Sequence, residues 1–148
     1  DHEGRLPLLE PMSEVAGRMA TQIVAQYLTK THGGRGILMG GVPGVRPAHI
    51  VILGAGTVGS HAARMALGMG ASVTLMDINL ERLRYAEDTL HGRLTTLYSN
   101  AANISDVITR ADAVIGSVLI VGARAPHLIR HEMLATMPRG SVIVEIAH

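Results

Sequence analysis

The sequence predicts an α/β protein built on a doubly wound parallel sheet. From His49 onward, short β-branched runs alternate with helical patterns, which is typical of parallel strands joined by helices. Apolar residues make up 47% of the 148 residues but aromatic residues only 2%. Aliphatic side chains must therefore fill the interior, as they do where buried parallel strands are covered by helices. The length suits one domain with one core.

The alternation predicts each element of the sheet in turn. Strands are predicted at 50–53, 73–76, 94–98, 113–116 and 142–146, and helices at 58–69, 80–90, 104–110 and 132–137. Right-handed crossovers favour the strand order 3-2-1-4-5. A ligand crevice is then expected between the first and fourth strands, at their carboxyl ends.

A long helix is predicted ahead of the sheet. Ser13 is a suitable N-cap for a helix that runs to about Thr29, and Gly36 follows its end. An apolar stripe is expected on this helix, comprising Val15, Met19, Ile23, Val24 and Tyr27. The glycine- and proline-rich stretch 40–47 predicts a structured loop that leads into the first strand.

A glycine motif marks the first turn after a strand. Gly54, Gly56 and Gly59, with Ala55, Thr57 and Val58 between them, follow an apolar strand and open a helix. This GxGxxG pattern in this context is the dinucleotide fingerprint of the Rossmann fold. Gly54 is expected to make the tight turn, Gly56 to let backbone amides approach a pyrophosphate, and Gly59 to let the helix pack closely on the strand.

Asp77 is the predicted anchor for the cofactor ribose. It ends the second strand about 20 residues beyond the motif, where a carboxylate accepts hydrogen bonds from both adenosine ribose hydroxyls and repels a 2′-phosphate. Arg82 lies one turn into the next helix and is the residue that could instead pair with such a phosphate. Because Asp77 holds the critical position, the prediction is NAD(H) over NADP(H).

Rarer segments resemble the alanine dehydrogenase family. Residues 11–19 read Pro-Met-Ser-Glu-Val-Ala-Gly-Arg-Met, and residues 33–45 read Gly-Gly-Arg-Gly-Ile-Leu-Met-Gly-Gly-Val-Pro-Gly-Val. The similarity continues through the glycine motif, Asp77-Ile78-Asn79, Tyr98-Ser99, residues 114–120 and residues 140–144. It covers nearly the whole chain and is far more specific than GxGxxG alone.

The resemblance implies both an activity and a set of contacts. Members interconvert L-alanine with pyruvate and ammonia by passing a hydride between the alanine α-carbon and the nicotinamide ring, for which the cofactor supplies the chemistry. It implies cofactor contacts at Ser13 and Ile78, adenosine-pocket residues at Ser99 and Val118 with Leu119 beside it, and nicotinamide-side residues at Leu128 and Ile146. For Val118, Leu128 and Ile146 the alternative is an ordinary core role, and for Ser13 a helix cap.

The resemblance places the substrate-handling residues outside this chain. The family's arginine, lysine and histidine belong to a preceding domain, and its acidic partner follows the last strand. Because the chain opens at Asp1 without methionine and stops directly after a strand-like run, we expect a piece of a two-domain enzyme. Residues 1–47 would form an interdomain helix and loop, and residues 48–148 the Rossmann core. No catalytic residue is assigned, and the chain alone should bind NAD(H) without turnover.

Composition argues against several other kinds of partner. The net charge is +1, from 13 basic and 12 acidic residues that are scattered, which disfavours nucleic acid. Apolar runs are too short to span a membrane, and a chain without cysteine permits a cytoplasmic setting. His127 and His131 have a spacing that zinc sites use, but they lack a further ligand. Glu145 is expected at a solvent-facing strand end or near a helix start rather than in catalysis.

Two other functions stay open at the level of sequence. A free-standing NAD-sensing Rossmann module would need the same fingerprint without a substrate domain. The related domain of a proton-pumping transhydrogenase would pass hydride to another nicotinamide nucleotide. The segments around Ser13 and Gly41 favour alanine dehydrogenase over both, and in that family a homo-oligomer is implied.

Overall fold

The computed structural model describes residues 9–29, 36–117, 133 and 135–146. Four helices and five strands alternate within these ranges, in the order α1 (Leu9–Tyr27), β1 (His49–Leu53), α2 (Thr57–Gly68), β2 (Ser72–Asp77), α3 (Leu80–Thr89), β3 (Arg93–Tyr98), α4 (Ala101–Ile108), β4 (Ala113–Gly116) and β5 (Val142–Glu145). The strands pair in parallel in the order β3-β2-β1-β4-β5. The predicted fold class and strand order are confirmed.

Helices cover both faces of the sheet. The side chains of β1 point alternately into the two cores that these helices form with the sheet. Ile50 and Ile52 belong to a core shared with α1, α2 and α3, whereas Val51 and Leu53 belong to a second core shared with α4. Successive side chains of a strand point to opposite faces, so a strand buried on both sides must be apolar throughout. This burial explains why β1 reads as a continuous aliphatic run.

The predicted boundaries of the five strands and of α2 and α3 hold to about one residue, whereas those of α1, α4 and the last predicted helix do not. Helix α4 begins at Ala101 rather than at 104, because the Asn100 side chain accepts a hydrogen bond from the Asn103 amide at 2.7 Å and caps the helix. Of the helix predicted at 132–137, only positions 132 and 134 lie outside the described residues, and the described part is not helical beyond Met133. Met133 is helical, while 135–137 form a turn and a bend.

Two predictions about α1 are wrong: its N-cap and its single apolar stripe. The helix begins at Leu9, so Ser13 lies inside the helix and is not its N-cap. The predicted apolar stripe also divides between two faces: Met19 is 53% exposed and Val15, Ile23 and Tyr27 are exposed with it, whereas Val24 is fully buried. The periodicity detected a real apolar ridge, but most of that ridge faces outward.

Small residues form the buried face of α1 and bring it close to α2. A Cβ at Gly17 would overlap the carbonyl oxygen of Val58, so only glycine permits this approach. Thr21 is buried, and its hydroxyl donates to the Ala62 carbonyl at 2.9 Å. Ala20 and Val24 complete the face within the α2 core. Helix α1 is therefore packed onto α2 and the sheet core from Gly17 to Val24.

At the amino-terminal edge of the sheet, Asp112 joins the loop before β1 to the start of β4. Its fully buried carboxylate accepts two hydrogen bonds from the Arg46 guanidinium, at 2.8 and 3.2 Å, and one from the His49 amide at 2.8 Å. The hydrogen bond to Asp112 raises the pKa of Arg46. The predicted structured loop is thereby tied to the sheet at Arg46.

Within the described part of the chain, no helix combines the length and the apolar character needed to cross a bilayer.

Candidate nucleotide-binding site

The glycine motif forms the turn between β1 and α2. Gly54 has a φ of +107°, a conformation that L side chains rarely adopt, so glycine is required there. A Cβ at Gly59 would overlap the Gly54 carbonyl, which shows that α2 packs directly against the turn. At Gly56, by contrast, the one atom of the described residues that a Cβ would meet within 4 Å is Arg82 Nη1, at 3.8 Å. The described part of the chain thus leaves the outer side of Gly56 open to a close-approaching ligand.

The start of α2, beside the open side of Gly56, has backbone amides that can bind an anion. Gly56 is the N-cap residue and provides no side-chain cap, and the first turn of this described helix carries no acidic residue. The Ser60 amide closes the first helical hydrogen bond, to the Gly56 carbonyl at 2.9 Å. The amides of the first turn and the positive end of the helix dipole can therefore bind a phosphate oxygen.

Asp77 lies at the carboxyl end of β2, where its carboxylate is directed to the turn. Its Oδ2 accepts from the Ala55 amide and its Oδ1 from the Asn79 amide, each at 2.8 Å. Each carboxylate oxygen keeps a second lone pair, which a ribose hydroxyl can use. The Arg82 guanidinium stands 3.8 Å from Oδ2 and is largely exposed. Asp77 therefore contacts the turn and keeps acceptor capacity for a ligand hydroxyl.

The other predicted cofactor contacts lie beside Asp77, in the glycine turn or on α1. Ile78 is exposed directly after β2, and the Ser99 amide donates to the Asp77 carbonyl at 3.1 Å, so both border Asp77. Ala55 and Val58 are buried in the turn and first helical turn, and Thr57 is half-buried. Ser13 is buried on α1, one helical turn before Gly17, which lies against the Val58 carbonyl. These positions are compatible with the expected contacts.

Four predicted residues lie farther along the chain. The Ile146 amide donates to the Gly116 carbonyl at 2.9 Å, and its half-buried side chain packs against the sheet core. Val118, Leu119 and Leu128 lie outside the described residues, and the histidine pair His127 and His131 does as well. Glu145 is exposed at the end of β5, as expected for a strand-end acid.

Sequence reasoning missed Ser117. This buried serine follows β4, and its hydroxyl lies 3.0 Å from the Leu53 carbonyl and 3.2 Å from the Gly54 carbonyl. A signal was present, because the strand order puts the end of β4 beside the end of β1. Ser117 is therefore the residue at which the predicted crevice and the glycine turn meet.

Fold and site together define a dinucleotide-binding domain of the Rossmann type, with its turn at the topological switch point between β1 and β4. The family model described as "Alanine dehydrogenase/PNT, C-terminal domain" matches residues 20–148. The chain belongs to this family, which confirms the resemblance and the NAD class of cofactor.

Individual relatives agree with the family. The alanine dehydrogenase of Bilophila wadsworthia is 60% identical over 144 residues, which are 97% of this chain and 38% of the relative. A solved structure titled L-alanine dehydrogenase is 51% identical with a TM-score of 0.92, and the match covers 96% of this chain and 39% of that one. The chain thus spans about two fifths of the length of the relatives it matches.

A transhydrogenase structure is a more distant neighbour. The structure, from Sinorhizobium meliloti, is 29% identical with a TM-score of 0.69, and the match covers 91% of this chain and 38% of that one. Both its identity and its structural similarity are well below those of the L-alanine dehydrogenase structure. The comparison therefore favours alanine dehydrogenase over transhydrogenase.

Proposed function

We propose that this chain is the NAD(H)-binding domain of an enzyme that oxidatively deaminates L-alanine, reversibly, to pyruvate and ammonia. The observation that carries the proposal is the juxtaposition of an open Gly56, an uncapped α2 and the Asp77 carboxylate in one turn. The relatives named alanine dehydrogenase supply the reaction. When bound, the nicotinamide ring accepts or returns the hydride.

Each part of the site has a separate task in this proposal. The amides at the start of α2 hold the pyrophosphate, which approaches over Gly56, while Asp77 accepts the adenosine ribose hydroxyls. Ile78 and Ser99 border the adenosine, and Ser13 approaches from α1. Val118 and Leu119, with Leu128 and Ile146 on the nicotinamide side, complete the proposed contact set.

The charge arrangement supports NAD(H) over NADP(H). A 2′-phosphate would stand beside the Asp77 carboxylate and be repelled by it. Arg82 is the nearest described guanidinium, but it stands 3.8 Å from Asp77, whose charge offsets its own. The arginine is thus not free to act as a dedicated phosphate clamp.

Titration of the 148-residue chain with NADH and NADPH tests the binding proposal. NADH should bind at least about 10-fold more tightly than NADPH. The reason is that a hydrogen bond between a ribose hydroxyl and the charged Asp77 carboxylate is worth about 1.4 kcal/mol or more. Equal or tighter NADPH binding would refute the assignment of Asp77. Absence of NADH binding would refute the proposed function itself.

The substrate chemistry belongs to the remainder of the enzyme in this proposal. The chain should reduce no NAD⁺ in the presence of L-alanine, whereas the full-length enzyme should do so. Residues 1–47 act as the link to the substrate domain, and residues 48–148 as the cofactor domain. Alanine-dependent reduction by the chain alone would overturn this division of tasks.

The exposed ridge of α1 supports a homo-oligomer of the full-length enzyme, which we place in the cytoplasm with the NAD(H) pool. Val15, Met19, Ile23 and Tyr27 expose apolar side chains in one row, and a contiguous apolar patch marks a contact, here with the substrate domain or with another subunit. Replacing Met19 with glutamate should shift the full-length enzyme to smaller species in sedimentation. An unchanged sedimentation profile would contradict this role for the ridge.

A further inference from the structure

Ser117 occupies the space that two glycines of the turn leave vacant. A Cβ at Gly54 would lie 3.2 Å from the Ser117 Oγ and 2.9 Å from its carbonyl oxygen. A Cβ at Gly59 would lie 2.8 Å from the same Oγ. The serine is buried, and its amide also donates to the Leu53 carbonyl, at 2.9 Å. Ser117 is thus packed into the inner side of the turn.

The peptide unit between Gly54 and Ala55 is held at both ends. Its carbonyl oxygen lies 3.2 Å from the Ser117 hydroxyl, which comes from the end of β4. Its N–H donates to Asp77 Oδ2 at 2.8 Å, from the end of β2. Because a peptide unit is planar and rigid, contacts at opposite edges define its orientation. The plane of this unit in turn sets where the backbone at Gly56 and Thr57 begins.

We infer that Ser117 is a positioning residue for the pyrophosphate site, which it serves by orienting the Gly54–Ala55 peptide from the β4 side. The inference rests on the proposed NAD(H)-binding function. Ser117 is not required to touch the cofactor, because its hydroxyl is directed to the Leu53 and Gly54 carbonyls. The ligand class it affects is therefore the diphosphate, which binds the turn, rather than the adenosine, which binds beside Asp77.

Ser117→Ala tests the inference through ligands that differ only in the phosphates. Affinity for ADP and for NADH should fall about 3- to 10-fold, as expected for the loss of one hydrogen bond, while affinity for adenosine should change less than about twofold. Ser117→Cys, which is somewhat larger and keeps a side-chain donor that donates more weakly, should lose an intermediate amount. Equal losses for ADP and adenosine, or no loss for either, would overturn the positioning role.

A readout without ligand separates this inference from the proposed function. The Ala55 amide proton should exchange faster with solvent in Ser117→Ala than in the parent chain, since its peptide plane is released at one edge. Unchanged exchange at Ala55 would contradict the inference even if no nucleotide binds. If exchange is faster but the parent chain binds no NADH, the proposed function fails and the orienting role of Ser117 stands.

Ser141→Ala is the matched control. Its hydroxyl lies 3.2 Å from the Ala111 carbonyl and also contacts the Pro138 carbonyl, at the opposite end of the sheet. It therefore removes the same kind of contact without touching the turn. The ratio of ADP to adenosine affinity and the exchange at Ala55 should both match the parent chain, and a change in either would show that the Ser117 effects are not specific.

Discussion

Asp77 connects the two halves of the proposed cofactor site. Its carboxylate accepts the Ala55 amide of the glycine turn and the Asn79 amide at the start of α3, and it is left with lone pairs for a ribose. Substitution at Asp77 therefore affects the turn as well as the ribose. The loss of cofactor specificity and the loss of affinity should accordingly appear together.

Asp77→Ala should weaken NADH binding about 10- to 100-fold, as expected for removal of charged hydrogen bonds, and should narrow the preference over NADPH. The narrowing follows because the carboxylate that repels the 2′-phosphate is gone while Arg82 remains. Fluorescence titration with both nucleotides measures the two affinities. Asp88→Ala, at an exposed position on α3, is the control and should retain the parent preference; a retained preference in Asp77→Ala would contradict the assignment.

His49 is a half-buried titratable group at the start of β1. Its Nδ1 lies 3.1 Å from the Arg110 carbonyl and its Nε2 lies 2.8 Å from the Thr74 hydroxyl. Burial is the largest influence and lowers the pKa of His49; the Arg110 and Arg46 charges act in the same direction, against the Arg110 carbonyl and the Asp112 carboxylate. The folded protein therefore favours the neutral imidazole.

The free energy of unfolding should consequently decrease as the pH falls below the ordinary histidine pKa of about 6.5. In that range the unfolded chain binds a proton at His49 that the folded chain resists, so acid favours unfolding, and the contribution is fully retained above it. Urea unfolding at pH 7.5 and 5.5 measures the effect. His49→Gln should show a smaller decrease than the parent chain, and His91→Gln, at an exposed position, an equal one; equal decreases in all three would exclude His49.

At the scale of elements, α1 and α2 pack through small side chains instead of interlocking large ones. Gly17 and Ala20 let the helix backbones approach, and the Thr21 hydroxyl bonds to the α2 backbone. Apart from the buried Val24, the larger apolar side chains described on α1 point outward. Close packing of this kind tolerates no added atom where the neighbour is backbone.

Gly17→Ala should lower the free energy of unfolding by about 1–3 kcal/mol, because its methyl group would overlap the Val58 carbonyl and force the helices apart. The same substitution at Gly68 is the control, since a Cβ there meets no atom of the described residues within 4 Å. Gly68→Ala should be neutral or stabilise by up to about 1 kcal/mol through helix propensity. Chemical denaturation of both variants decides the point, and equal effects would argue against tight α1–α2 packing.

At the scale of the whole molecule, the two ends of the sheet have different tasks. The carboxyl ends of β1, β2 and β4 carry the glycine turn, Asp77 and Ser117, which belong to the proposed cofactor site. The amino-terminal edge carries Arg46, His49 and Asp112, which join the preceding loop to the sheet. The proposed cofactor site and the anchorage of the loop before β1 are thus separated by the length of the strands.

Asp112→Ala should therefore cost about 2–4 kcal/mol of stability, because it leaves the His49 amide without its buried acceptor and releases Arg46. Asp106→Ala, which removes a surface pair with Arg110 at 3.2 Å, should cost no more than about 0.5 kcal/mol. Thermal unfolding of the two variants provides the comparison. NADH affinity of any folded Asp112→Ala protein should stay close to that of the parent, and a large loss would contradict the separation of the two ends.

The regular core was predictable because its pattern is local. Short β-branched runs indicate β1 to β5 and helical patterns indicate α2 to α4, and the crossover rule then leaves few strand orders. The Gly54 turn and the Asp77 position were predictable as well, since both depend on residue type within one βα unit. The Asn100 cap of α4 was missed because a short polar run carries a weak periodic signal.

The sequence by itself determined the fold class, the strand order, the NAD-type fingerprint and the family resemblance, because each depends on residues near one another in the chain. Only the tertiary structure decided which side of α1 is buried, since small residues proved to be the contact face and an apolar row does not reveal its partner. It alone also placed Ser13 inside a helix and brought Ser117 and Asp77 to opposite edges of one peptide. The contacts of Ser117 and Asp77 with the glycine turn join residues far apart in sequence, so no local sequence pattern predicts them.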